Sequence, residues 1–390
     1  MGGDSTYIQS LVDQIQKTAA ETNDLGQDGT ARAKLLQLSR QLTGQLEQPD
    51  ELISNVAFSA HDLKLFDLLA EESPQTAQQL AETSNAEELL VIRIMRVLVG
   101  MGMAAQVDKT SYAATPATRQ MTLPSVRAGI RFFYEEGLPV VHVAPAYFKS
   151  NSYQTPKSMY DGPFQYAFDT KEQCFEYWSK KPGVMENFNT FMQGLFGTPM
   201  RLGWTDWFPA KEAVLDGFDE SRSEYAFVDV GGGRGHEGEA VLKKYPGVKG
   251  RFVVEDLPFV INDIENLNPR IERLAHDFTQ PQPVKGARAY FLQNILHNWA
   301  DPVCHTILTQ LATAMIPGYS KLLIGNIIIP DTNASLRQSG LDIAMLVLHS
   351  GSQRGEAEWS TLLDRAGFKV VKFWHPPGDG DGIVEAELKG

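Results

Sequence analysis

The chain of 390 residues has few of the features that mark secreted, membrane-spanning or metal-binding proteins. It contains only two cysteines, Cys174 and Cys304, far apart in the sequence, so neither a disulfide framework nor a thiolate metal site is expected. Both are predicted to be buried as small apolar side chains. No apolar run approaches the ~18 residues of a membrane span. The start, MGGDSTYIQS, lacks the pattern of a secretory signal, so a cytoplasmic protein with no membrane partner is predicted.

An excess of positive charge is also lacking. The 35 Lys and Arg residues are outnumbered by 48 Asp and Glu residues, which gives a formal net charge of −13. This matters because residues 63–69, 76–82 and 86–102 have helical patterns and residues 104–115 form a predicted β-ribbon, an arrangement typical of winged-helix domains. An acidic surface repels a polyanion, and these helices carry no basic cluster. A structural role is therefore predicted for this winged helix, with no nucleic-acid partner.

The most informative segment that is present is YAFVDVGGGRGHEG, residues 225–238. It predicts a buried strand, a glycine-rich turn and the start of a helix, a combination that holds nucleotide-like cofactors at the carboxyl end of a parallel strand. The next predicted strand, residues 251–255, is followed by Asp256, roughly 20 positions beyond the turn, where an acceptor for a ribose hydroxyl belongs. Both features favour a ligand that contains adenosine, and a nicotinamide dinucleotide remains open at this point.

The C-terminal half alternates between strands and helices. Strands are predicted at residues 225–230, 251–255, 271–275, 287–292 and 320–329, and a Pro/Gly turn joins two more at 368–373 and 382–388. This pattern predicts an α/β fold with a doubly wound parallel sheet that ends in an antiparallel hairpin. We place an N-terminal, helical dimerisation domain at residues 1–165 and a Rossmann-like, cofactor-binding domain at residues 166–390.

Two loops after predicted strands carry side chains suited to binding and catalysis. Asp277 and Phe278 follow the third strand, where a carboxylate and an aromatic ring side by side suit hydrogen bonding and stacking on an adenine. His297 follows the fourth strand and precedes a helix, with Asp301 predicted as its N-cap. A histidine at the carboxyl end of a central strand suits a general base, although a buried structural histidine is the commoner explanation for such a residue taken alone.

These segments occur in a fixed order: a winged helix, an aromatic middle, DVGGGRGHEG, VVEDLP, HDF, LHNWAD and GEAEWSTLLDRAGF. Together they resemble the fungal and plant small-molecule O-methyltransferases, a class I family that depends on S-adenosylmethionine. The resemblance runs from about residue 50 to the C-terminus. It implies a seven-stranded methyltransferase domain, an all-α winged-helix dimerisation domain and a homodimer.

The resemblance also implies roles for individual residues. Gly231 and Gly233 would face the methionine part of S-adenosylmethionine, Asp256 would hold the ribose, and Asp277 and Phe278 would meet the adenine. His297 would deprotonate the hydroxyl that accepts the methyl group. Three further cofactor contacts are expected at Asp229, Leu257 and Gln293, the last at a position where a basic residue is common in the family.

The sequence departs from the family at two positions beside the histidine. Plant-type members have glutamates where this chain has Asn326 and Gln353. Amides orient an imidazole but do not stabilise its charged form. Either this is neutral drift, with Asp342, His349 or Glu356 compensating, or the enzyme is a relative on the same fold that catalyses pericyclic or dehydrative cyclisation without methyl transfer.

The resemblance implies that the substrate is an aromatic or polyketide-type secondary metabolite held between the domains, and the aromatic middle of the chain fits the wall of an apolar pocket. The expected substrate-binding residues are Phe188, Met192, Trp204, Met345 and His349.

Overall fold

Helices dominate the first 220 residues, and strands alternate with helices thereafter. The computed structural model describes residues 5–22, 28–46, 56–72, 74–197 and 203–389. Up to residue 220 the α-helices are α1 (Ser5–Ala20), α2 (Gly29–Leu46), α3 (Val56–Asp62), α4 (Leu65–Glu71), α5 (Ala77–Ser84), α6 (Glu88–Gly100), α7 (Pro116–Met121), α8 (Pro124–Phe132), α9 (Leu138–Ser150), α10 (Pro163–Phe168), α11 (Cys174–Ser179), α12 (Val184–Gly197), α13 (Trp204–Trp207) and α14 (Ala210–Ala213). Beyond it they are α15 (His236–Lys244), α16 (Pro258–Asn262), α17 (Asp301–Ala312), α18 (Leu336–His349) and α19 (Glu356–Arg365).

The strands are short in the first third of the chain and longer in the second half. They are β1 (Gln75–Thr76), β2 (Ala105–Gln106), β3 (Ser111–Ala113), β4 (Tyr225–Val230), β5 (Arg251–Asp256), β6 (Ile271–Ala275), β7 (Ala289–Gln293), β8 (Lys321–Asn326), β9 (Ile328–Ile329), β10 (Arg354–Gly355), β11 (Phe368–Trp374) and β12 (Gly382–Leu388). Among the described residues, no helix is both long and apolar enough to cross a membrane.

The chain forms two compact units. The smaller unit spans residues 47–142 and 175–195. Its helices pack on a three-stranded antiparallel sheet with the order β1-β3-β2, which confirms the predicted helices and β-ribbon. The core of this unit includes Phe66, Leu80, Val91 and Leu98, all fully buried.

The larger unit comprises residues 1–46, 143–174 and 196–390. Its seven-stranded sheet has the order β11-β12-β8-β7-β4-β5-β6, with β4 to β8 parallel and β12 and β11 antiparallel, as the alternating pattern predicted. Side chains of β4 alternate between the two faces of the sheet: Phe227 packs with Phe252 and Phe291 on one face, and Val228 packs with Leu308 on the other. The predicted boundary between residues 165 and 166 stays a prediction.

One predicted strand is too long. Residues 320–329 were expected to form a single strand, but β8 ends at Asn326, and Ile328–Ile329 pairs separately with Arg354–Gly355. The reason is the start of β12 at Gly382, which lies opposite Asn326, so that the edge of β8 has no partner on that side beyond this residue.

Candidate functional site

The carboxyl ends of β4 and β7 meet at the point where the strand order of the sheet reverses. From β4 the sheet continues to β5 and β6 on one side and to β7 and β8 on the other. Loops that leave such a pair of strands in opposite directions open a crevice, which is where doubly wound sheets bind their ligands. The glycine turn follows β4, and the short turn Leu296–Asn298 that carries His297 follows β7.

The glycine turn depends on glycine for both conformation and space. Gly231 and Gly233 have φ values of 71° and 57°, in the left-handed region that other residues avoid. A Cβ atom on Gly231 would lie 2.7 Å from Ile295 Cδ1 and 3.5 Å from Phe278 Cε1. One on Gly232 would lie 2.4 Å from Asp229 Cγ. The turn therefore brings its backbone against Asp229, Phe278 and Ile295, and Ile295 is a contact that the sequence analysis did not identify.

Asp229 is buried below this turn. Its side chain is 1% exposed, and neither carboxylate oxygen has a hydrogen-bond partner among the described residues. Burial, together with repulsion from Glu237, raises the pKa of Asp229 to about 8. A buried carboxyl group without a donor is ready to accept hydrogen bonds from a cationic ligand.

Asp256 ends β5 and holds the turn from the other side. Its Oδ2 accepts from the backbone N–H of Gly233 at 2.9 Å, and its Oδ1 accepts from the N–H of Leu257 at 2.7 Å. A carboxylate has about four acceptor positions, so each oxygen retains one for a ligand hydroxyl. Burial raises the pKa of Asp256, and the two backbone hydrogen bonds counter it.

Asp277 and Phe278 form the next wall of this crevice. The Oδ1 of the exposed Asp277 accepts from the N–H and the hydroxyl of Thr279, at 2.9 and 2.7 Å, which fixes the loop after β6. Phe278 lies edge-on to Trp299, with ring centroids 5.8 Å apart. The structure thus brings together the glycine turn, Asp229, Asp256 and Phe278. A glycine-lined turn, two carboxylates and an aromatic wall fit the amino-acid, ribose and adenine parts of S-adenosylmethionine.

The turn that carries His297 is clamped by the loop after α18. The carbonyl of His297 accepts from the N–H of Ser352 at 3.1 Å. A Cβ atom on Gly351 would lie only 2.1 Å from that carbonyl oxygen, so glycine is needed for the close approach. Arg354 donates to the carbonyls of Leu296 and Trp299, each at 3.0 Å.

Arg354 also explains why one predicted cap is wrong. Asp301 was expected to be the N-cap of the following helix, but Ala300 occupies that position and Asp301 is the first helical residue. The carboxylate of Asp301 instead accepts from the Arg354 guanidinium at 2.7 Å. The Arg354 guanidinium directs two N–H groups at this oxygen, Nε at 3.2 Å and Nη2 at 2.7 Å, which favours this arrangement over a single bond to a backbone amide.

Gln353 holds the ring of His297. Its Nε2 lies 2.8 Å from His297 Nδ1, and its own backbone N–H donates to Asp342 Oδ1 at 2.8 Å. An amide that donates to Nδ1 leaves the ring proton on Nε2 and makes that nitrogen a donor, whereas an amide that accepts from Nδ1–H leaves Nε2 as a base. A glutamate would permit only the second state. Gln353 therefore permits two tautomers of His297 where the family's glutamate permits one.

His297 is neutral over the physiological pH range. Desolvation lowers its pKa to about 4, and the negative charge of Asp381 opposes this shift. Asp381 lies in the turn before β12 and is a second residue that the sequence analysis missed. Its only signal there was the Pro/Gly-rich segment HPPGDGDG, which indicates a turn but not its neighbours. Glu356, considered as a compensating acid, instead accepts from His375 at the protein surface, at 2.9 Å.

The other predicted site residues lie in several places. Met345 and His349 are one turn apart on α18, and His349 is buried with its Nδ1 2.9 Å from Cys174 Sγ. Trp204 is 7% exposed, lies in the core of the larger unit and donates from Nε1 to Glu237 at 2.6 Å. Phe188 and Met192 lie on α12, where Phe188 packs against Phe132 with ring centroids 5.3 Å apart.

Two further predicted positions are occupied by amides with protein partners. Gln293 donates to Asp381 at 2.8 Å, and Asn326 donates to Asn294 at 3.3 Å. Within the described parts of the chain, no group of three or more His, Cys, Asp or Glu side chains is placed to hold a metal ion.

Two protein-family models match long parts of this chain. Residues 154–369 match the family model of the O-methyltransferase domain, and residues 51–123 match that of the O-methyltransferase dimerisation domain. The O-methyltransferase penC of Penicillium thymicola is 40% identical over 370 residues, which cover 92% of this chain and 92% of that protein.

Solved structures show the same fold over nearly the whole chain. LepI in complex with S-adenosylmethionine is 26% identical, with a TM-score of 0.86 over 99% of this chain and 100% of that one. A solved pericyclic reaction enzyme, also 26% identical, has a TM-score of 0.85 over 99% of this chain and 100% of that one. These matches confirm the predicted fold class and cofactor, and the chain belongs to the S-adenosylmethionine-dependent O-methyltransferase family.

Proposed function

We propose that the enzyme methylates an acidic hydroxyl of an aromatic or polyketide-type secondary metabolite, with His297 as the general base. The observation that carries this proposal is the placement of a neutral imidazole at the carboxyl end of β7, next to the strand that ends in the glycine turn. When bound there, S-adenosylmethionine supplies an electrophilic methyl group, so the protein has to align an oxygen nucleophile and accept its proton.

The cofactor would be held by the residues that line the crevice. Asp229, Gly231 and Gly233 would bind its amino-acid part, and Asp256 its ribose hydroxyls. Phe278 would pack on the adenine. Four further residues are proposed for the same binding site because they lie beside it: Leu257, Asp277, Gln293 and Ile295. Asp229 supports this assignment because its oxygens have no partner among the described residues.

The pKa of His297 limits which hydroxyl it accepts a proton from. A phenol with a pKa near ~10 exceeds the histidine pKa of about 4 by roughly six units, which corresponds to roughly 8 kcal/mol for complete proton transfer. That is a large share of a catalysed barrier. An enolic or vinylogous acid hydroxyl reduces the gap, so the lowered pKa of His297 favours such an acceptor over a simple phenol.

A second candidate function is a cyclisation on the same scaffold without methyl transfer. The observation that favours it is the pair of amides, Asn326 and Gln353, in place of acids, with Gln353 Nε2 rather than an acceptor oxygen at Nδ1 of His297. In that tautomer His297 is a hydrogen-bond donor to a neutral carbonyl, which suits a pericyclic or dehydrative reaction better than proton abstraction.

A homodimer is the proposed assembly. The matched dimerisation domain supports it, and large apolar side chains of the smaller unit are exposed at Leu89, Leu90, Phe133, Tyr134, Leu138 and Val141. Phe133, Tyr134, Leu138 and Val141 lie in one short helical stretch, and apolar side chains exposed together in this way are typical of surfaces that bind another protein. The proposed pocket residues remain Phe188, Met192, Trp204, Met345 and His349, of which Met345 and His349 are proposed on the basis of their place in the family pattern.

One experiment separates the two functions. The purified enzyme is incubated with methyl-labelled S-adenosylmethionine and an extract of fungal secondary metabolites, in parallel with a His297→Ala variant whose cofactor affinity is checked by calorimetry. Label transfer by the wild type, reduced at least ~100-fold in the variant, supports methylation with His297 as base. Consumption of a metabolite without label, and equally well with the demethylated cofactor, would establish the cyclase function instead.

A further inference from the structure

A single carboxylate, Asp381, organises the amide side chains beside His297. The side chain of Asp381 is 9% exposed, and its Oδ2 accepts from Gln293 Nε2 at 2.8 Å and from Asn294 Nδ2 at 2.9 Å. Its Oδ1 lies 3.7 Å from a nitrogen of Arg337. The pairing of β12 with β8 explains the contact, because Gly382 lies directly opposite Asn326.

The chemistry of a carboxylate fixes the orientation of these amides. An ionised carboxylate only accepts hydrogen bonds, so Gln293 and Asn294 must both turn their NH₂ groups towards Asp381. The Oδ1 of Asn294 then points away, and it accepts from Asn326 Nδ2 at 3.3 Å. The orientation of Asn326 follows from that of Asn294, so two successive hydrogen bonds connect Asn326 to the charge of Asp381.

Asn326 is consequently left with an acceptor oxygen that none of the described residues uses. The residue is fully buried, and its Oδ1 has no hydrogen-bond partner among the described residues. Only one of its two N–H groups is needed for Asn294. A buried amide oxygen without a donor is destabilising, which indicates that a ligand completes it.

We propose that Asp381 is a positioning residue which orients Asn326 to bind a lactam, so that the preferred acceptor carries a ring N–H and carbonyl in addition to its hydroxyl. A carboxamide edge has one acceptor and one donor, and a lactam edge has the complementary pair. This inference rests on the proposed function for the location of the acceptor. A hydroxylated lactam is also a vinylogous acid, which matches the weak basicity of His297.

The test uses two probes that differ in one donor, 4-hydroxy-2-quinolone and its N-methyl derivative. Their dissociation constants are measured with the full-length protein saturated with S-adenosylhomocysteine. We expect the N–H compound to bind roughly tenfold more tightly or better, because the N-methyl compound leaves Asn326 Oδ1 unpaired. Equal affinities, or no binding of either probe, would overturn the proposal.

Three variants separate hydrogen bonding from shape. Asn326→Leu should abolish the preference, and a preference that survives this change is steric and contradicts the proposal. Asp381→Asn keeps the shape but lets the amides reverse, so the preference should fall several-fold; an unchanged preference would remove Asp381 from the argument. Asp331→Asn, at an exposed aspartate, is the matched control and should behave as wild type.

The affinity of each variant for S-adenosylhomocysteine reports whether that variant is folded. If Asn326→Leu does not fold, the result for Asp381→Asn decides the test. Methyl transfer to the same probes is measured separately, so that the two proposals fail independently. Selective binding without transfer would support the lactam site and contradict the methyltransferase function. Methyl transfer to both probes, together with equal affinities for them, would support the methyltransferase function and contradict the lactam site.

Discussion

The thiol of Cys174 lies 2.9 Å from the Nδ1 of His349, although 175 positions separate the two residues in the chain. Both side chains are buried, and desolvation together with the nearby His297 lowers the pKa of His349 to about 3. The imidazole is therefore neutral, and the thiol donates to Nδ1. This leaves the ring proton of His349 on Nε2, so that this nitrogen is a hydrogen-bond donor.

Removing the thiol of Cys174 should weaken the fold, and a conservative change of this residue should weaken it less. Cys174→Ala removes this hydrogen bond to a buried nitrogen, and we expect it to lower the free energy of unfolding by about 1 kcal/mol. Cys174→Ser retains a donor and should lose less. Urea unfolding of the two variants checks this. A serine variant as unstable as the alanine variant would show that packing, not the hydrogen bond, accounts for the loss.

Restoring an acid beside His297 should change the reaction according to the role of the histidine. Gln353→Glu accepts from Nδ1–H, leaves Nε2 as the base and stabilises the imidazolium, which raises the pKa of His297. If His297 is a general base, the methyl-transfer rate on a simple phenol should rise by about tenfold or more. The acid limb of the pH–rate profile would shift to higher pH as the pKa of His297 rises.

The same variant distinguishes the alternative chemistry. If His297 acts as a hydrogen-bond donor in a cyclisation, Gln353→Glu removes the donor tautomer and the rate should fall. Gln353→Leu, which supports neither tautomer, is the control and should reduce activity under both mechanisms.

Cofactor affinity should depend on pH through Asp229. Its pKa of about 8 in the folded protein means that the carboxyl is neutral at pH 6 and gains charge as the pH rises. Because an ionised carboxylate attracts the ammonium group of the cofactor, affinity for S-adenosylhomocysteine should increase about tenfold between pH 6 and 7.5. Calorimetry measures this directly. In Asp229→Asn the dependence should disappear, and its persistence would locate the titrating group elsewhere.

Two glycines in the same region should respond oppositely to alanine. Gly351→Ala places a Cβ against the carbonyl of His297, so the loop must move and carry Gln353 with it. We expect a loss of about 1–3 kcal/mol in stability and a fall in kcat with the cofactor affinity unchanged. Gly340, within α18, has open space around its Cα.

For that reason Gly340→Ala is the matched control. Alanine in a helix interior is more favourable than glycine by roughly 1 kcal/mol, so this variant should be as active as the wild type and slightly more stable. Thermal unfolding and steady-state kinetics of both variants test the contrast. Unimpaired activity in Gly351→Ala would contradict the clamp.

Local patterns predicted the parts of the site that lie next to one another in the chain. The strand at Tyr225–Val230, the glycine turn and Asp256 were all placed correctly, because a short apolar run, a cluster of glycines and a strand end are visible within a few residues. Burial of Cys174 and Cys304 was also confirmed.

Contacts across long distances were not predictable in this way. Asp381 reaches Gln293 and Asn294 only because an antiparallel strand inserts beside β8, and no local pattern specifies which residue of a hairpin meets which strand end. The Asp301 cap failed for a related reason. The carboxylate of Asp301 binds Arg354 instead of the helix start, and Arg354 is 53 positions away in the chain.

The covalent continuity of α18 and the loop after it has an evolutionary consequence. Met345 and His349, proposed to face the substrate, and Gln353, which holds His297, belong to one segment of the chain. A substitution that reshapes this segment for a new metabolite also shifts the imidazole that acts on it. We therefore expect changes in this segment to alter substrate range and reaction type together.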